Sequence, residues 1–564
     1  MENKEYMLID GNPVEINGEK NLLEVIRKAG IELPTFCYHS ELSVYGACRM
    51  CMVENSHGGM EAACSTVPKA GMEIYTNTER LHKHRKMILE LLLANHCRDC
   101  TTCQKNGKCR LQELASLFGL ESIRFKNLKP EPELDTSSLS IIRDAHKCIL
   151  CGDCVRMCNE IQNVGAIDFV NRGSKMVIGP AFNEPIANSP CVGCGQCAAV
   201  CPTGAIVIRK DTGRVWPELN DKNTKVVAQV APAVRVAMAK EFGLPENENS
   251  MGRITAALRR LGFDEVYDTA TGADLTVLEE SNEFLQRIEA GENLPLITSC
   301  CPAWIQYCEK NHPELMKNIS TCKSPMQMFS SVIKAEYANS SRRVVCVAIM
   351  PCTAKKFECA REEFMHDGVP ETDYVITTQE LIQMIHKAGI VFDELEPEAV
   401  DPEFSTSTGA GVIFGVTGGV TEAVLRRLSP DKSKKALLSI AFNDVRGMKG
   451  VKETTIPYGD KEVRIAIVSG LKNAESVIQA LKNGEHFDFI EVMACPGGCV
   501  AGGGQPFGTN ATKEVRGKAL YSADKMLSIK RSEENPLMLS LYDGVLKGRV
   551  HELLHVHYNH KEEE

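Results

Sequence analysis

Thr298-Ser299-Cys300-Cys301-Pro302-Ala303-Trp304, Met350-Pro351-Cys352-Thr353-Ala354-Lys355-Lys356-Phe357-Glu358 and Glu491-Val492-Met493-Ala494-Cys495-Pro496-Gly497-Gly498-Cys499 lie far apart in the chain but share one arrangement. Each follows an apolar, β-branched run, Leu294 to Thr298, Val344 to Ile349 and Phe487 to Val492, which the pattern predicts as a buried strand. In open α/β sheets, ligand-binding groups gather beyond the carboxyl ends of strands. Thiols at three such ends are expected to converge on one crevice. From Val215 onward apolar strand segments alternate with amphipathic helical ones, so a large α/β domain with parallel sheets in two lobes is expected over 210–564.

Working outward from the third segment, Cys495-x3-Cys499 reads as two thiols one helical turn apart on one face. Gly502, Gly503 and Gly504 read as positions where backbone must approach a cofactor closely. With Cys301 and Cys352, these make four thiolates, enough for a cubane cluster. Upstream, an internal repeat runs Cys148-x2-Cys151-x2-Cys154-x3-Cys158 and then Cys191-x2-Cys194-x2-Cys197-x3-Cys201-Pro202. In this two-cluster ferredoxin pattern the fourth cysteine of each run serves the other cluster. One [4Fe-4S] cluster is therefore expected on Cys148, Cys151, Cys154 and Cys201, its neighbour on Cys191, Cys194, Cys197 and Cys158. Zinc is the competing occupant, but tetrathiolate zinc sites rarely interleave in this way.

Nearer the N-terminus, Cys37-x10-Cys48-x2-Cys51-x12-Cys64 keeps the central C-x2-C and distant fourth ligand of a [2Fe-2S] site. His96-x3-Cys100-x2-Cys103-x5-Cys109 offers one imidazole and three thiolates for a third accessory [4Fe-4S] cluster. An imidazole in place of a thiolate makes the cluster less negative and should raise its potential. Spacing alone does not choose between His96 and Cys97 as the fourth ligand. Short strands around Gly11-Asn12 and Asn17-Gly18, with a helix over Leu22 to Ala29, predict a β-grasp domain over 1–80. A small helical His/Cys domain follows over 81–128, and the Pro-, Glu- and Ser-rich link Lys129 to Ser140 leads to the two-[4Fe-4S] ferredoxin-like domain, 141–209. The whole is expected to be a multidomain α+β and α/β chain.

Composition excludes several classes. The chain has 564 residues, 43% hydrophobic content and a net charge of −10, which argues against nucleic-acid binding. Its 25 cysteines cluster in C-x2-C runs, and Met1 to Asp10 lacks a signal-peptide pattern, so metal thiolates in a reducing cytoplasm are expected rather than a disulfide scaffold. No apolar run approaches the length of a membrane span, so no membrane insertion is expected.

Together, the three segments and the relay resemble the [FeFe] hydrogenases over essentially the whole chain. The resemblance implies reversible reduction of protons to H2 at an H-cluster: a [4Fe-4S] cubane bridged through a cysteine sulfur to a two-iron subsite with CO, cyanide and azadithiolate, loaded by maturation proteins. On this resemblance Cys301, Cys352, Cys495 and Cys499 are the cubane ligands, and Cys499 is the bridge. Lys355 hydrogen-bonds a cyanide, Met350 and Met493 pack beside the subsite, and Phe414 lines the pocket. Pro232 and Ala233 line it too, Ala233 standing where the better-known clostridial pattern has serine. Met326 replaces a glutamine of that pattern. Heterolysis of H2 separates a hydride from a proton, which calls for a base beside the iron. The family places a thiol there, corresponding to Cys300, and a free thiol near pKa 8.5 is a workable donor and acceptor.

Glu280, Glu283 and Arg287 form one stripe of a helix, which read blindly is a solvated face. The resemblance instead makes Glu280, Ser320, Glu283 and Arg287 a proton path from Cys300, with Thr321 a competing hydroxyl. Ferredoxin is the expected electron partner. The alternative is a subunit of an NAD(P)-linked, electron-bifurcating complex, because Asn95 to Leu114 looks more like those complexes and the large iron-sulfur subunit of respiratory complex I. No flavin or nucleotide site is visible, so NAD(P)H would require partner subunits. A sensor or an iron-sulfur scaffold is the reading from another class; a sensor would be expected to alter the relay positions and a scaffold to lack Cys300 or a motif cysteine. His551-Glu552-Leu553-Leu554-His555 matches a zinc-protease pattern but lacks a third ligand and reads as a terminal helix, with His557 and His560 solvated. Gly415-Val416-Thr417-Gly418-Gly419 reads as close packing. Cys97, Cys308, Cys322, Cys346 and Cys359 are expected to be small buried hydrophobes. Arg80 to Lys86 reads as a solvated helix face, or as a patch steering an acidic electron carrier through Lys83, Arg85 and Lys86.

Overall fold

The computed structural model describes residues 5–127, 133–429, 431, 433, 445–458 and 461–558; the start of the Lys129–Ser140 link, through 132, and His560 lie outside the described residues. At the N-terminus, strands Glu5–Ile9 and Asn12–Ile16 pair antiparallel. Their turn sits on Asp10 and Gly11, one residue earlier than expected. Both have positive φ (50° and 80°), the conformation that matches hairpin twist. Glu73–Tyr75 adds in parallel to Glu5–Ile9, and Met52–Asn55 and Met60–Ala62 complete five strands. Helix Leu22–Lys28, capped by Asn21 accepting from the Glu24 N–H, buries Leu22, Leu23, Val25 and Ile26 in the same core.

Helix Glu79–Ala94 is tied to this sheet by Arg85, which is buried and donates to the carbonyls of Met50, Met52 and Thr76. That corrects the docking patch proposed for Lys83, Arg85 and Lys86: Arg85 satisfies strand-end carbonyls and is not available to a partner. In the cysteine-repeat unit, Ile141–Arg143 and Ile206–Ile208 pair antiparallel, so the start and end of the repeat meet. Short helices Asp153–Arg156 and Gln196–Val200 start after Gly152 and Gly195, both at positive φ.

Beyond 210 two sheets form. The first is all parallel, ordered Glu265–Asp268, Thr224–Val230, Arg343–Met350, Tyr374–Thr377. The second runs Leu296–Ile297, Phe489–Met493, Lys461–Ser469 in parallel, with Val451–Tyr458 antiparallel at its edge. The first motif's strand is shorter than its apolar run because Pro295 has no N–H for the ladder. Glu491 is buried inside the third motif's strand, accepting from the N–H groups of Gly418 and Thr421 and the Thr421 hydroxyl. Its carboxylate thereby meets the N-terminus of helix Gly419–Leu428, where negative charge is favoured. Among the described residues no helix is long and apolar enough to cross a membrane.

Candidate metal and proton site

The three motif strands come from both sheets, and their carboxyl ends face each other. Cys300 and Cys301 close the first strand and lead into helix Pro302–Asn311, with proline in its first turn. The Thr298 hydroxyl accepts from the Val492 N–H at 3.2 Å, and Cys301 Sγ accepts from the Ala494 N–H at 3.4 Å, stitching the first motif to the third. A cavity of about 80 Å³ lies between them, lined by Cys300, Cys301, Cys352 and Cys499. Met350, Met493, Phe414, Lys355, Pro232 and Ala233 complete its wall, and Met326 lines it as well. A single water needs only about 10–15 Å³ of such space, so the cavity has room for a larger group. Cys495 stands behind it, its thiol pushed up by burial and by the neighbouring charges of Cys352, Cys301 and Cys499. Lys355 Nζ donates to the Cys300 carbonyl at 3.3 Å and to Glu358 at 2.7 Å, so a buried ammonium faces the thiols already paired.

Two expectations about the third motif are corrected. Cys495 and Cys499 do not lie on a helical turn: Gly497 and Gly498 have φ of 92° and 89°, and Cys499 only begins a short 3-10 segment, Cys499–Ala501. A Cβ on Gly498 would meet the Thr417 N at 2.5 Å, so the loop is packed as well as left-handed. Gly502, Gly503 and Gly504 make room for protein rather than cofactor. A Cβ on Gly502 would meet the Pro351 carbonyl, and one on Gly503 would meet the Cys194 carbonyl oxygen at 2.4 Å. These glycines therefore join the third motif to the second and to the cysteine-repeat unit. Because the atoms met are backbone, Gly503→Ala is expected to destabilise by about 1–3 kcal/mol, read as a lower unfolding midpoint. An unchanged midpoint would show that the two units separate without cost.

Leading away from the cavity, the stripe on helix Ala270–Ala290 is buried, not solvated. Glu280 is 0% exposed, and its carboxyl is pushed up to about 8, first by burial and then by Glu283 and Glu491. Burial likewise pushes the Cys300 thiol well above its ordinary range. The free thiol expected to titrate near neutrality is therefore held protonated. Ser320 Oγ donates to Glu283 at 2.7 Å, and Arg287 holds the other Glu283 oxygen at 2.6 Å. Arg287 is itself fixed on the carbonyls of Asn293, Asn318 and Ile319. Thr321 gives Glu283 its backbone N–H, while its hydroxyl meets His555 at 2.9 Å, so the hydroxyl facing Glu283 is that of Ser320. His555 also reaches Glu279 at 3.1 Å. This pairing was missed in the sequence because it joins residues 276 apart. His557 is exposed, as expected.

The upstream cysteines form separate groups. One cavity is lined by Cys148, Cys151, Cys154 and Cys201, and another by Cys158, Cys191, Cys194 and Cys197. The exchange of fourth cysteines is thus a feature of the cavities themselves. Among the described residues no three His, Cys, Asp or Glu side chains close on a point suited to one ion. A zinc tetrathiolate, with Zn–S of about 2.3 Å, would need sulfurs about 3.8 Å apart. Thiols spread around a cavity fit a polynuclear cluster better. Cys37 and Cys48 form one hydrogen-bonding pair and Cys51 and Cys64 another. Cys100 and Cys103 act on Cys109, whereas Cys97 is affected by Lys147, Asp99 and Asp144. His96 is buried. A Cβ on Gly204 would reach Cys103 Sγ at 2.6 Å, and Arg156 donates to the Cys37 carbonyl at 2.9 Å, so the groups adjoin. Of the remaining cysteines, Cys308, Cys322 and Cys346 are buried, while Cys97 and Cys359 are partly exposed.

Comparison with known proteins agrees with this layout. Residues 224–503 match the model of the iron only hydrogenase large subunit, C-terminal domain, and 510–561 that of the iron hydrogenase small subunit. Residues 6–79 match a 2Fe-2S iron-sulfur cluster binding domain, 85–124 the NADH-ubiquinone oxidoreductase-G iron-sulfur binding region, and 147–209 a 4Fe-4S dicluster domain. An NADP-reducing hydrogenase subunit of Solidesulfovibrio fructosivorans is 41% identical over 98% of each chain. Iron hydrogenase 1 of Clostridium pasteurianum is 35% identical over 98% of this chain and 99% of its own. A solved [FeFe]-hydrogenase from Chlamydomonas reinhardtii aligns with a TM-score of 0.54 and 37% identity, covering 62% of this chain and 98% of that one.

Proposed function

The chain belongs to the [FeFe] hydrogenase family, and we propose that it interconverts protons and H2 at a centre held by Cys301, Cys352, Cys495 and Cys499, with Cys300 as its proton-transferring thiol. The observation that carries this reading is the cavity shared by Cys300 and the motif thiols, from which Glu280, Ser320, Glu283 and Arg287 lead away. When bound, an H-cluster supplies the iron at which H2 is made or split. The residues fit it: the thiols of Cys301, Cys352 and Cys499 line the cavity and Cys495 is buried beside them, so these four would hold the group, with Cys499 as the bridging ligand and Lys355 as a donor to a cyanide. Met350, Met493, Phe414, Pro232 and Ala233 exclude water from the reacting volume, where electrostatic contacts are strengthened. Cys300 would hold a proton at its Sγ, and the protonated Glu280 carboxyl would pass its own proton on by way of Ser320 and Glu283 toward Arg287 as it takes the one from Cys300.

The accessory groups support a [2Fe-2S] cluster on Cys37, Cys48, Cys51 and Cys64, where the two thiol pairs suit one iron each. They also support [4Fe-4S] clusters on His96, Cys100, Cys103 and Cys109 and on the two interleaved sets. Cys97, whose Sγ lies 4.0 Å from His96 Nδ1, is left out on the family resemblance. The matching domain partition is 1–80 (β-grasp), 81–128, 141–209 and 210–564, in a cytoplasmic protein. An assembly or sensing role would leave Cys300 and the Glu280 to Arg287 line without work.

For the electron partner, the full-length likeness to an NADP-reducing hydrogenase subunit and the region matched at 85–124 favour a complex with flavin- and NAD(P)-binding subunits, ferredoxin serving as the direct alternative. Purified, matured chain should evolve H2 from reduced ferredoxin, and NADPH should drive evolution only with co-purifying subunits present. Infrared CO and cyanide bands without any H2 evolution would overturn the catalytic reading.

A further inference from the structure

Between two cysteines of the interleaved repeat, Cys194-Gly195-Gln196-Cys197, stands a buried amide that serves neither of that unit's own clusters. Gln196 is 6% exposed and opens helix Gln196–Val200. Its Nε2 reaches out of the repeat unit to Cys495 Sγ at 3.1 Å and to the Ala501 carbonyl at 2.9 Å, across 299 positions of sequence. The same turn is pressed on the second motif and on the glycines after the third: a Cβ on Gly503 would meet the Cys194 carbonyl at 2.4 Å, and one on Gly195 would meet Thr353 Oγ1 at 2.4 Å. The amide is thus held by packing from both sides and cannot swing away without opening the joint between the units.

An N–H donor to a cysteine sulfur stabilises the more negative, reduced form of the cluster that sulfur binds, and so raises its potential. We propose that Gln196 is a positioning residue for the catalytic cubane: a relay-domain amide that sets the cubane's reduction potential through Cys495 and fixes the energetics of the last electron step. The inference rests on Cys495 being a cubane ligand. A purely structural staple would need only the bond to the Ala501 carbonyl, so a potential is the discriminating readout.

Gln196→Leu and Gln196→Met keep the volume and remove the donor. In matured protein, infrared and EPR redox titration should show the cubane midpoint shifted to more negative potential in both variants, with the accessory clusters unmoved. In the unaltered protein labelled with 15N-glutamine, pulsed EPR of the reduced cubane should show a nitrogen coupling that Gln196→Leu lacks. This last measurement decides the matter even if a variant fails to assemble. An unshifted cubane midpoint, a common shift of all clusters, or no nitrogen coupling in the unaltered protein would each overturn the proposal. Failure of the ligand reading looks different: Cys495→Ser would then leave the cubane's EPR signal unchanged.

Discussion

Cys300→Ala is expected to keep the infrared CO and cyanide bands and to lose about 10²–10⁴ of H2 turnover, the range over which a positioned proton-transfer group acts. The bands should persist because Cys300 is not among the proposed ligands, and its removal leaves Cys301, Cys352, Cys495 and Cys499 in place. Packing should survive as well: Cys300, itself partly buried, packs against a buried cluster that includes Ala273, Val277 and Phe414, where a methyl side chain leaves only a small gap. What is lost is the proton itself. Burial keeps the thiol protonated, so Cys300 meets the reacting centre as a donor with a carboxyl behind it. Cys300→Ser keeps a hydroxyl of similar reach but much weaker acidity, and should fall nearer the alanine variant than the unaltered enzyme. If turnover in Cys300→Ala stayed within a few-fold of the parent, the thiol would not be the proton donor.

The grouping of the repeat cysteines was legible in the sequence because cysteine spacing is local; that Cys201 lines a cavity with Cys148, Cys151 and Cys154, and Cys158 one with Cys191, Cys194 and Cys197, followed from pattern alone. Geometry that depends on backbone sign was not. Cys495-x3-Cys499 has helical spacing, yet Gly497 and Gly498 turn left-handed and break the turn. Burial was equally hidden. Glu280, Glu283 and Arg287 have the spacing and polarity of a solvated stripe, and only the surrounding fold makes them an interior line. Gly502 to Gly504 read as a close approach to a cofactor, whereas the atoms they face are the Pro351 carbonyl of the second motif and the Cys194 carbonyl of the cysteine-repeat unit. Arg85 looked like one more surface cation until the strand-end carbonyls it satisfies came into view. Gln196 gave no signal at all, since its partner lies in another unit.

Glu280→Gln is expected to abolish most turnover while making the protein more stable at alkaline pH. Glu280 is fully buried, and neither carboxyl oxygen has a hydrogen-bond partner of normal geometry among the described residues, although Ser320 and the Ser299 N–H stand near enough to offset part of the burial. The folded protein therefore holds this acid neutral up to about 8, against an ordinary value of 4.5. Between those values the unfolded chain gives up a proton that the folded chain keeps, so the unfolded state is favoured increasingly as pH rises. At roughly 1.4 kcal/mol per pH unit the penalty amounts to several kcal/mol above pH 8, and it vanishes below pH 4.5. Glutamine has the same shape and no proton to lose. Its stability advantage should be absent near pH 4.5, grow through the window and level off above about 8. Turnover should fall about 10²–10³-fold at every pH, because an amide can hydrogen-bond to Ser320 but cannot carry a proton onward. A carboxylic-acid stretch seen in the parent's infrared spectrum below pH 8 should be missing from the variant. The opposed signs make the test sharp: a packing defect would lower stability and turnover together, and a stability difference that does not change with pH would show that Glu280 is not the buried acid of the path.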